Sequence, residues 1–232
     1  MLYLHAQKRR LMQDGSVGNE TETETAPEHP TRSGLGRSVP LWLAAAIAVV
    51  ALLGGFLLGR PAVPLDSSAD AGFLRDMSVH HSQAVDMSLL ILEKTDDPQL
   101  STVAQDIART QQAQIGRMRG WLVQWGLNIR GAQPPMAWMA GHGSHGAQEA
   151  PKTMPGWVPD DRMEELKQAE GTEAEILFLQ LMIDHHKGGI DMAEAAVSAG
   201  DQKIVTDFAA GMAKAQQSEI ELMQDMLAAR GA

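Results

Sequence analysis

The chain has 232 residues, a formal net charge of -10, no cysteine and 14 methionines. Acidic residues outnumber basic ones after Arg60. A surface of that sign repels phosphate backbones, so the composition argues against a nucleic-acid partner. The absence of cysteine excludes disulfide scaffolds and thiolate metal sites, and it fits a compartment in which thiols would oxidise.

The N-terminal part of the sequence divides into a polar and an apolar segment. Residues 1–38 are polar, with alternating Thr and Glu, and predict a disordered tail. Residues 39–59 carry no charge and are long enough to cross the hydrocarbon core of a membrane as a helix. A buried core helix or a cleaved signal peptide would also be apolar, but apolarity on all faces and the long polar leader favour a transmembrane helix.

The same segment bears on localisation. We expect residues 39–59 to contact the lipid bilayer in a single pass, followed by a linker over 60–68. Lys and Arg near the span are almost evenly distributed, so charge alone does not fix the orientation. A domain without thiols and rich in Met and His favours an extracytoplasmic C-terminal part.

Helical patterns and no strand pattern follow the linker. The first helix is predicted over 69–94, and Asp97 with Pro98 supplies the N-cap and first-turn proline of a second helix that reaches Trp125. A short helix is expected over 160–169, a third long helix opens at a capping-box signature of Thr172 and Glu175, and a fourth covers 201–230. The predicted fold is all-α, a ferritin-like four-helix bundle over 69–232 with a long crossover at 127–172.

An eleven-residue stretch occurs twice, as Met77–Met87 and as Met182–Met192. Identical residues recur at the same offset over 73–126 and 178–231, which indicates a duplicated helical hairpin. Each copy places two adjacent histidines between methionines near the middle of its helix. The middles of two helices meet whether they run parallel or antiparallel, so we expect the imidazoles to approach each other, in one site or in two.

The residue types in this repeat point to copper. Helical periodicity places the first histidine of each pair on an inward face with the methionines and the second beside it. Imidazole with thioether sulfur selects copper, and Cu(I) before Cu(II), over iron, magnesium or calcium. The alternative is that the methionines fill the core and the histidines are merely packed. The candidate metal ligands are Met77, His80, His81, Met87, Met182, His185, His186 and Met192.

The crossover carries a second and weaker metal pattern. Methionines and histidines recur at every third residue in it, and a flexible loop of soft ligands could capture or hand over a copper ion. The alternative is a linker whose methionines pack on the bundle. These candidates are Met136, Met139, His142, His145 and Met154.

The doubled His-His-x5-Met motif, with a Met three residues before each pair, resembles the family called domain of unknown function 305 over about 69–230. The resemblance implies a ferritin-like fold, an exported or membrane-anchored protein of the bacterial envelope, and copper binding as in some members. It implies the same eight ligands of the two repeats.

We therefore expect a membrane-anchored, extracytoplasmic copper-binding protein for buffering, resistance or delivery. No nucleophile and base, phosphate loop or inward pair of carboxylates indicates an enzyme. One alternative is a ferritin-like metal oxidase, which would need carboxylates near the histidines. Another is a structural module of the cell envelope. A homo-oligomer or an envelope partner is possible in each case, and the sequence does not identify one.

Overall fold

The structure is a computed structural model that describes residues 39–59, 63–140 and 149–232. The chain divides into two compact units, Met1–Arg60 and Pro61–Ala232. Across the described residues it forms six α-helices and no strand, which confirms the all-α class. The predicted disordered tail over 1–38 lies outside the described residues.

The first unit contains helix α1, Leu41–Leu58. Pro40 precedes it as the N-cap residue and Gly59 ends it, so the helix is shorter than the predicted segment at both ends. Its apolar side chains are exposed, with Leu41 at 88% and Trp42 at 72%. Within the ranges that the structure describes, no helix combines the length and the apolarity that a membrane crossing requires. The predicted transmembrane helix over 39–59 is therefore not confirmed.

The second unit consists of two helical hairpins and a crossover. Helix α2 (Ala69–Leu92) packs on α3 (Pro98–Gln124), and α5 (Gly171–Ala199) packs on α6 (Lys203–Ala229). The two hairpins meet mainly through α2 and α5. The unit is thus a helical bundle in which the two helices that carry the histidines form the contact between the repeats. The ferritin-like arrangement of four helices stays a prediction. The short helix α4, Asp160–Gln168, lies in the crossover between the two hairpins.

Helix α3 begins as predicted, whereas α5 does not. The Asp97 carboxylate accepts the backbone N–H groups of Gln99 and Leu100, and Pro98 occupies the first turn. Helix α5 begins at Gly171 without a side-chain cap, so the predicted capping box is wrong. The Glu175 carboxylate does not bond to the backbone at the start of α5. It accepts hydrogen bonds from Thr95 Oγ1 and Arg230 Nε instead.

The acidic residues near the starts of α2 and α5 hold the turns of the opposite hairpins. Asp70 accepts the backbone N–H groups of Asp201 and Gln202, both at 3.1 Å. Glu175, its equivalent in the second repeat, accepts the Thr95 hydroxyl at 2.5 Å. The start of each histidine helix thus lies beside the end of the other, so α2 and α5 run antiparallel and their middles lie at one level.

The crossover is fixed to α2 at two places. Asp76 accepts the backbone N–H of Met136 at 2.7 Å and the indole N–H of Trp138 at 2.9 Å. Further along, the Gln83 side chain donates to the oxygen of Val158 at 2.8 Å and accepts its N–H at 2.9 Å. These bonds hold the described ends of the crossover against the helix that carries the first histidine pair.

Candidate metal centre

Four fully buried imidazoles meet at the middle of the bundle, because α2 and α5 cross there. His80, His81, His185 and His186 are each 0% exposed. The rings of His80 and His185 stack with centroids 3.7 Å apart and an interplanar angle of 29°. His81 lies 6.4 Å from His80, and His186 lies 6.3 Å from His185, measured between ring centroids. The structure thus brings together the four histidines that the sequence singled out.

The two stacked histidines use backbone oxygens as partners. His80 donates from Nε2 to the oxygen of Pro155 at 3.0 Å, and His185 donates from Nε2 to the oxygen of His80 at 3.1 Å. A carbonyl oxygen can only accept, so Nε2 carries the proton in both rings. Gly188 makes the first bond possible, because a Cβ there would lie 2.1 Å from the Pro155 oxygen.

The two flanking histidines use side chains of the outer helices. His81 Nε2 lies 2.7 Å from Gln114 Oε1 on α3, and His186 Nε2 lies 2.7 Å from Glu219 Oε2 on α6. Gln114 and Glu219 occupy equivalent positions of the two repeats. Each imidazole of the cluster therefore has an oxygen partner at Nε2.

The other ring nitrogen, Nδ1, is buried in all four histidines and has no hydrogen-bond partner among the described residues. Histidines that ligate metals commonly donate one ring N–H to a carbonyl or carboxylate and coordinate through the other nitrogen. Four buried and unpartnered nitrogens of this kind are available as metal ligands, and they give no stability to a metal-free protein.

Three of the rings, those of His80, His81 and His185, are also held in the neutral form. Burial lowers the pKa of His80 to about 4 and that of His81 to about 3, and it lowers the pKa of His185 well below its ordinary value. Positive charge on neighbouring histidines of the cluster lowers these pKa values further. Only a neutral imidazole has a lone pair to give to a metal, so no proton competes at neutral pH.

The predicted methionines are buried, but they group across the repeats. Met77 and Met192 belong to one apolar cluster, and Met87 and Met182 belong to the other, each of them 0% exposed. The sequence predicted that the methionines of one copy surround the histidines of that copy. The antiparallel packing of α2 and α5 instead brings one methionine of each copy to each side of the histidine layer.

The crossover candidates divide into described and undescribed residues. Met136 and Met139 are buried in the cluster that contains Met77, and Met154 packs against the same cluster. Their packing matches the alternative of a linker that rests on the bundle. His142 and His145 lie outside the described residues, and the crossover metal site stays a prediction.

Two buried glutamines near the histidines were missed by the sequence reasoning. Gln111 and Gln216 occupy equivalent positions, are 2% and 3% exposed, and have no partner among the described residues for either amide atom. Gln216 lies against the backbone of Gly189, where a Cβ would come within 2.4 Å of its Oε1. They recur at the same offset as the histidines, and a polar residue repeated within two helical repeats was the signal that could have found them.

Carboxylates are scarce at this centre. Among the residues that the structure describes, no three His, Asp or Glu side chains are arranged to hold a metal ion. Within the same residues, Glu219 is the one carboxylate that is hydrogen-bonded to one of the four imidazoles. Asp86 is exposed and Asp191 is half-buried, and neither has a hydrogen bond to these rings.

Comparisons with known proteins agree on one family. The family described as domain of unknown function (DUF305) matches residues 70–227. A DUF305 protein of Streptomyces coelicolor, named as a secreted protein, has 45% identity and a TM-score of 0.65 over 71% of this chain and 95% of its own. A DUF305 fragment of Deinococcus radiodurans has 27% identity and a TM-score of 0.57 over 73% and 99%.

A third solved structure, CopM in its Cu(I)-bound form, shares the fold. It has 23% identity and a TM-score of 0.51 over 68% of this chain and 94% of its own. The comparison with curated proteins gave no match.

Proposed function

The chain belongs to the DUF305 family, and we propose that it binds copper at the imidazole cluster between its two repeats. The observation that carries this proposal is the set of four buried Nδ1 atoms without a partner among the described residues. Binding a metal there would use lone pairs that are otherwise buried at a cost of about 1–3 kcal/mol each. Capture of the ion serves buffering, resistance or delivery, and turnover is not required.

The proposed ligands combine nitrogen and sulfur. The Nδ1 atoms of His80, His81, His185 and His186 would supply the nitrogen ligands, and thioethers from both repeats would supply sulfur. The described side chains are not preset to hold an ion, so the rings would have to turn towards it on binding. Such a soft and neutral ligand set favours Cu(I) over Cu(II) and over the hard divalent cations. The proposed thioether ligands are Met77, Met87, Met182 and Met192.

CopM supports copper as the metal to test first. That protein has been crystallised in Cu(I)-bound and Cu(II)-bound forms, and it shares the fold of this chain. The alternatives are not favoured by a specific contact, since a metal oxidase would need more carboxylates around the imidazoles than Glu219 supplies. Burial of four histidines without partners at Nδ1 is a poor solution for a purely structural module.

We also propose that the second unit works outside the cytoplasm. The relative from Streptomyces coelicolor that is named as secreted is 45% identical to this chain. Cysteine is absent from the whole sequence, as expected where thiols would oxidise. Attachment to a membrane through residues 39–59 stays a prediction, which carbonate extraction of membranes from cells that express the full chain, with and without that segment, would test.

A competition titration tests the function. The purified full chain would be titrated with Cu(I), Cu(II), Zn(II) and Fe(II) against chelators of known affinity. The key variant replaces the four histidines by glutamine, because a glutamine Nε2 can still donate the hydrogen bond that each imidazole Nε2 makes, while the nitrogen lone pair is lost. We expect the full chain to bind Cu(I) most tightly and this variant to lose most of that affinity.

A matched control separates the bundle from the crossover. Replacing His142 and His145 by glutamine removes the two imidazoles of the crossover and leaves the four buried histidines unchanged. We expect this variant to keep the Cu(I) affinity of the unaltered chain. Loss of affinity in the crossover variant with retention in the bundle variant would move the site to the crossover and overturn the proposal.

A further inference from the structure

The two repeats hold their flanking histidines in the same geometry but with different chemistry. His81 is paired with an amide, Gln114, and His186 with a carboxylate, Glu219, and both contacts are 2.7 Å long. The two partners are separated from their histidines by the same 33 positions. The duplication has therefore preserved the contact and changed only the charge of its partner.

This change affects how firmly each ring is fixed. A carboxylate can only accept, so Glu219 holds His186 with the proton on Nε2 and the lone pair on Nδ1. The amide of Gln114 can present either its oxygen or its NH2 group after a rotation of its plane, so it accommodates His81 with the proton on either nitrogen. Only the second repeat locks its flanking ring in the form that coordinates through Nδ1.

The charge also changes the strength of the ligand. A carboxylate that accepts from the outer nitrogen of a metal-bound imidazole raises the basicity of the coordinating nitrogen, which a neutral amide does to a smaller extent. A cation is therefore held more favourably near His186 than near His81.

We propose that the two repeats bind copper unequally, and that Glu219 is the positioning residue that makes the His186 side of the cluster the tighter one. The inference rests on the proposed function and adds an order of filling to it. The first ion settles at His186 and His185, the adjacent histidine of the same helix, and the His81 side completes the coordination or fills later.

Substitutions that exchange the partners test this order. Glu219→Gln gives the second repeat the partner of the first and is expected to weaken the binding of the first Cu(I) about 10–100-fold, the usual cost of losing such an outer partner. Gln114→Glu is expected to strengthen binding on the His81 side. Glu221→Gln, two residues away on the same helix and exposed, removes the same charge without touching the cluster and is the matched control.

The exchange variant carrying both Gln114→Glu and Glu219→Gln has the net charge of the natural chain. Copper should then perturb the His81 ring first, as read from the 15N signals of the histidine side chains during titration of the full chain. In the natural chain the His186 signals should change first. The same spectra of metal-free protein should show Nδ1 unprotonated in His186, and a circular-dichroism melt verifies that each variant is folded.

The outcomes separate the two proposals. Copper binding that Glu219→Gln leaves unchanged, or a natural chain in which His81 responds first, would overturn the inference alone. A folded natural chain with no affinity for copper would overturn the proposed function and the inference with it.

Discussion

The imidazole of His185 lies face to face with that of His80 and donates its Nε2–H to the backbone oxygen of that same residue at 3.1 Å. Two residues from equivalent positions of a duplicated sequence thus form one unit across the interface of the repeats. Each ring therefore packs directly on the other. The stacked pair couples the two hairpins at the site where we propose copper binds.

This coupling predicts non-additive effects of substitution. His80→Gln and His185→Gln should each lower Cu(I) affinity strongly, and the double variant should lose less than the sum of the two, because either change already breaks the shared unit. The free energies of Cu(I) binding from competition titrations give the double-mutant cycle. Additive losses would indicate two independent sites, one in each repeat.

Acid should destabilise the metal-free protein. Burial lowers the pKa of His80 to about 4 and that of His81 to about 3, so between about pH 6.5 and those values the unfolded chain takes up protons that the folded chain does not. The free energy of unfolding should therefore decrease as the pH is lowered, by about 1.4 kcal/mol per pH unit for each such histidine. Urea unfolding at pH 7.5, 6.0 and 5.0 measures this slope.

The slope has its own control. A chain with His81→Gln has one protonatable ring fewer in the unfolded state, so its free energy of unfolding should fall less steeply over the same interval. Above about pH 7 the slope from these histidines should vanish in both chains. An equal slope in the variant would mean that His81 is not buried in the neutral form.

The helices and the histidine cluster could be predicted from the sequence, because both follow from short-range periodicity. The 3.6-residue period and the Asp97–Pro98 signal located α2 and α3, and the duplication placed His80 and His185 at equal depth. The contacts that depend on three-dimensional neighbours could not be predicted. Glu175 was assigned to a local cap because its bond to Thr95 crosses 80 positions of the chain.

The grouping of the proposed methionine ligands also depends on neighbours in three dimensions. Sequence proximity associated Met77 with Met87, whereas the antiparallel packing of α2 and α5 associates Met77 with Met192. The role of the Pro155 oxygen in fixing His80 was also out of reach, because it depends on the close approach of a loop to Gly188. A close contact between a loop and a helix produces no periodic pattern in a single sequence.

Because the crossover approaches α5 closely at Gly188, a methyl group added there should change the stability of the protein. Gly188→Ala would place a Cβ 2.1 Å from the Pro155 oxygen and 2.3 Å from the Gly156 nitrogen, so the crossover must move. We expect a loss of about 1–3 kcal/mol in the free energy of unfolding and a weaker hydrogen bond to His80. Chemical denaturation of the variant and of the natural chain gives the difference.

The matched control for that substitution lies in α3. A Cβ at Gly116 would meet nothing within 4 Å, so Gly116→Ala should stabilise the protein by about 1 kcal/mol through helix propensity alone. Opposite signs for the two glycine substitutions are the expected result. Stabilisation by Gly188→Ala would mean that Pro155 and Gly156 do not lie against the helix in solution.

The buried glutamines allow a test of the cost of unpartnered amide groups in the metal-free core. Gln216 is 3% exposed, and neither atom of its amide has a hydrogen-bond partner among the described residues. An unpartnered buried polar group costs about 1–3 kcal/mol, and leucine has a similar volume without that cost. Gln216→Leu should therefore raise the free energy of unfolding of the metal-free chain by about 1–3 kcal/mol, whereas Gln217→Leu, at an exposed position, should change it by less than about 0.5 kcal/mol. Destabilisation by Gln216→Leu would instead mean that the amide binds an ordered water molecule in the folded protein.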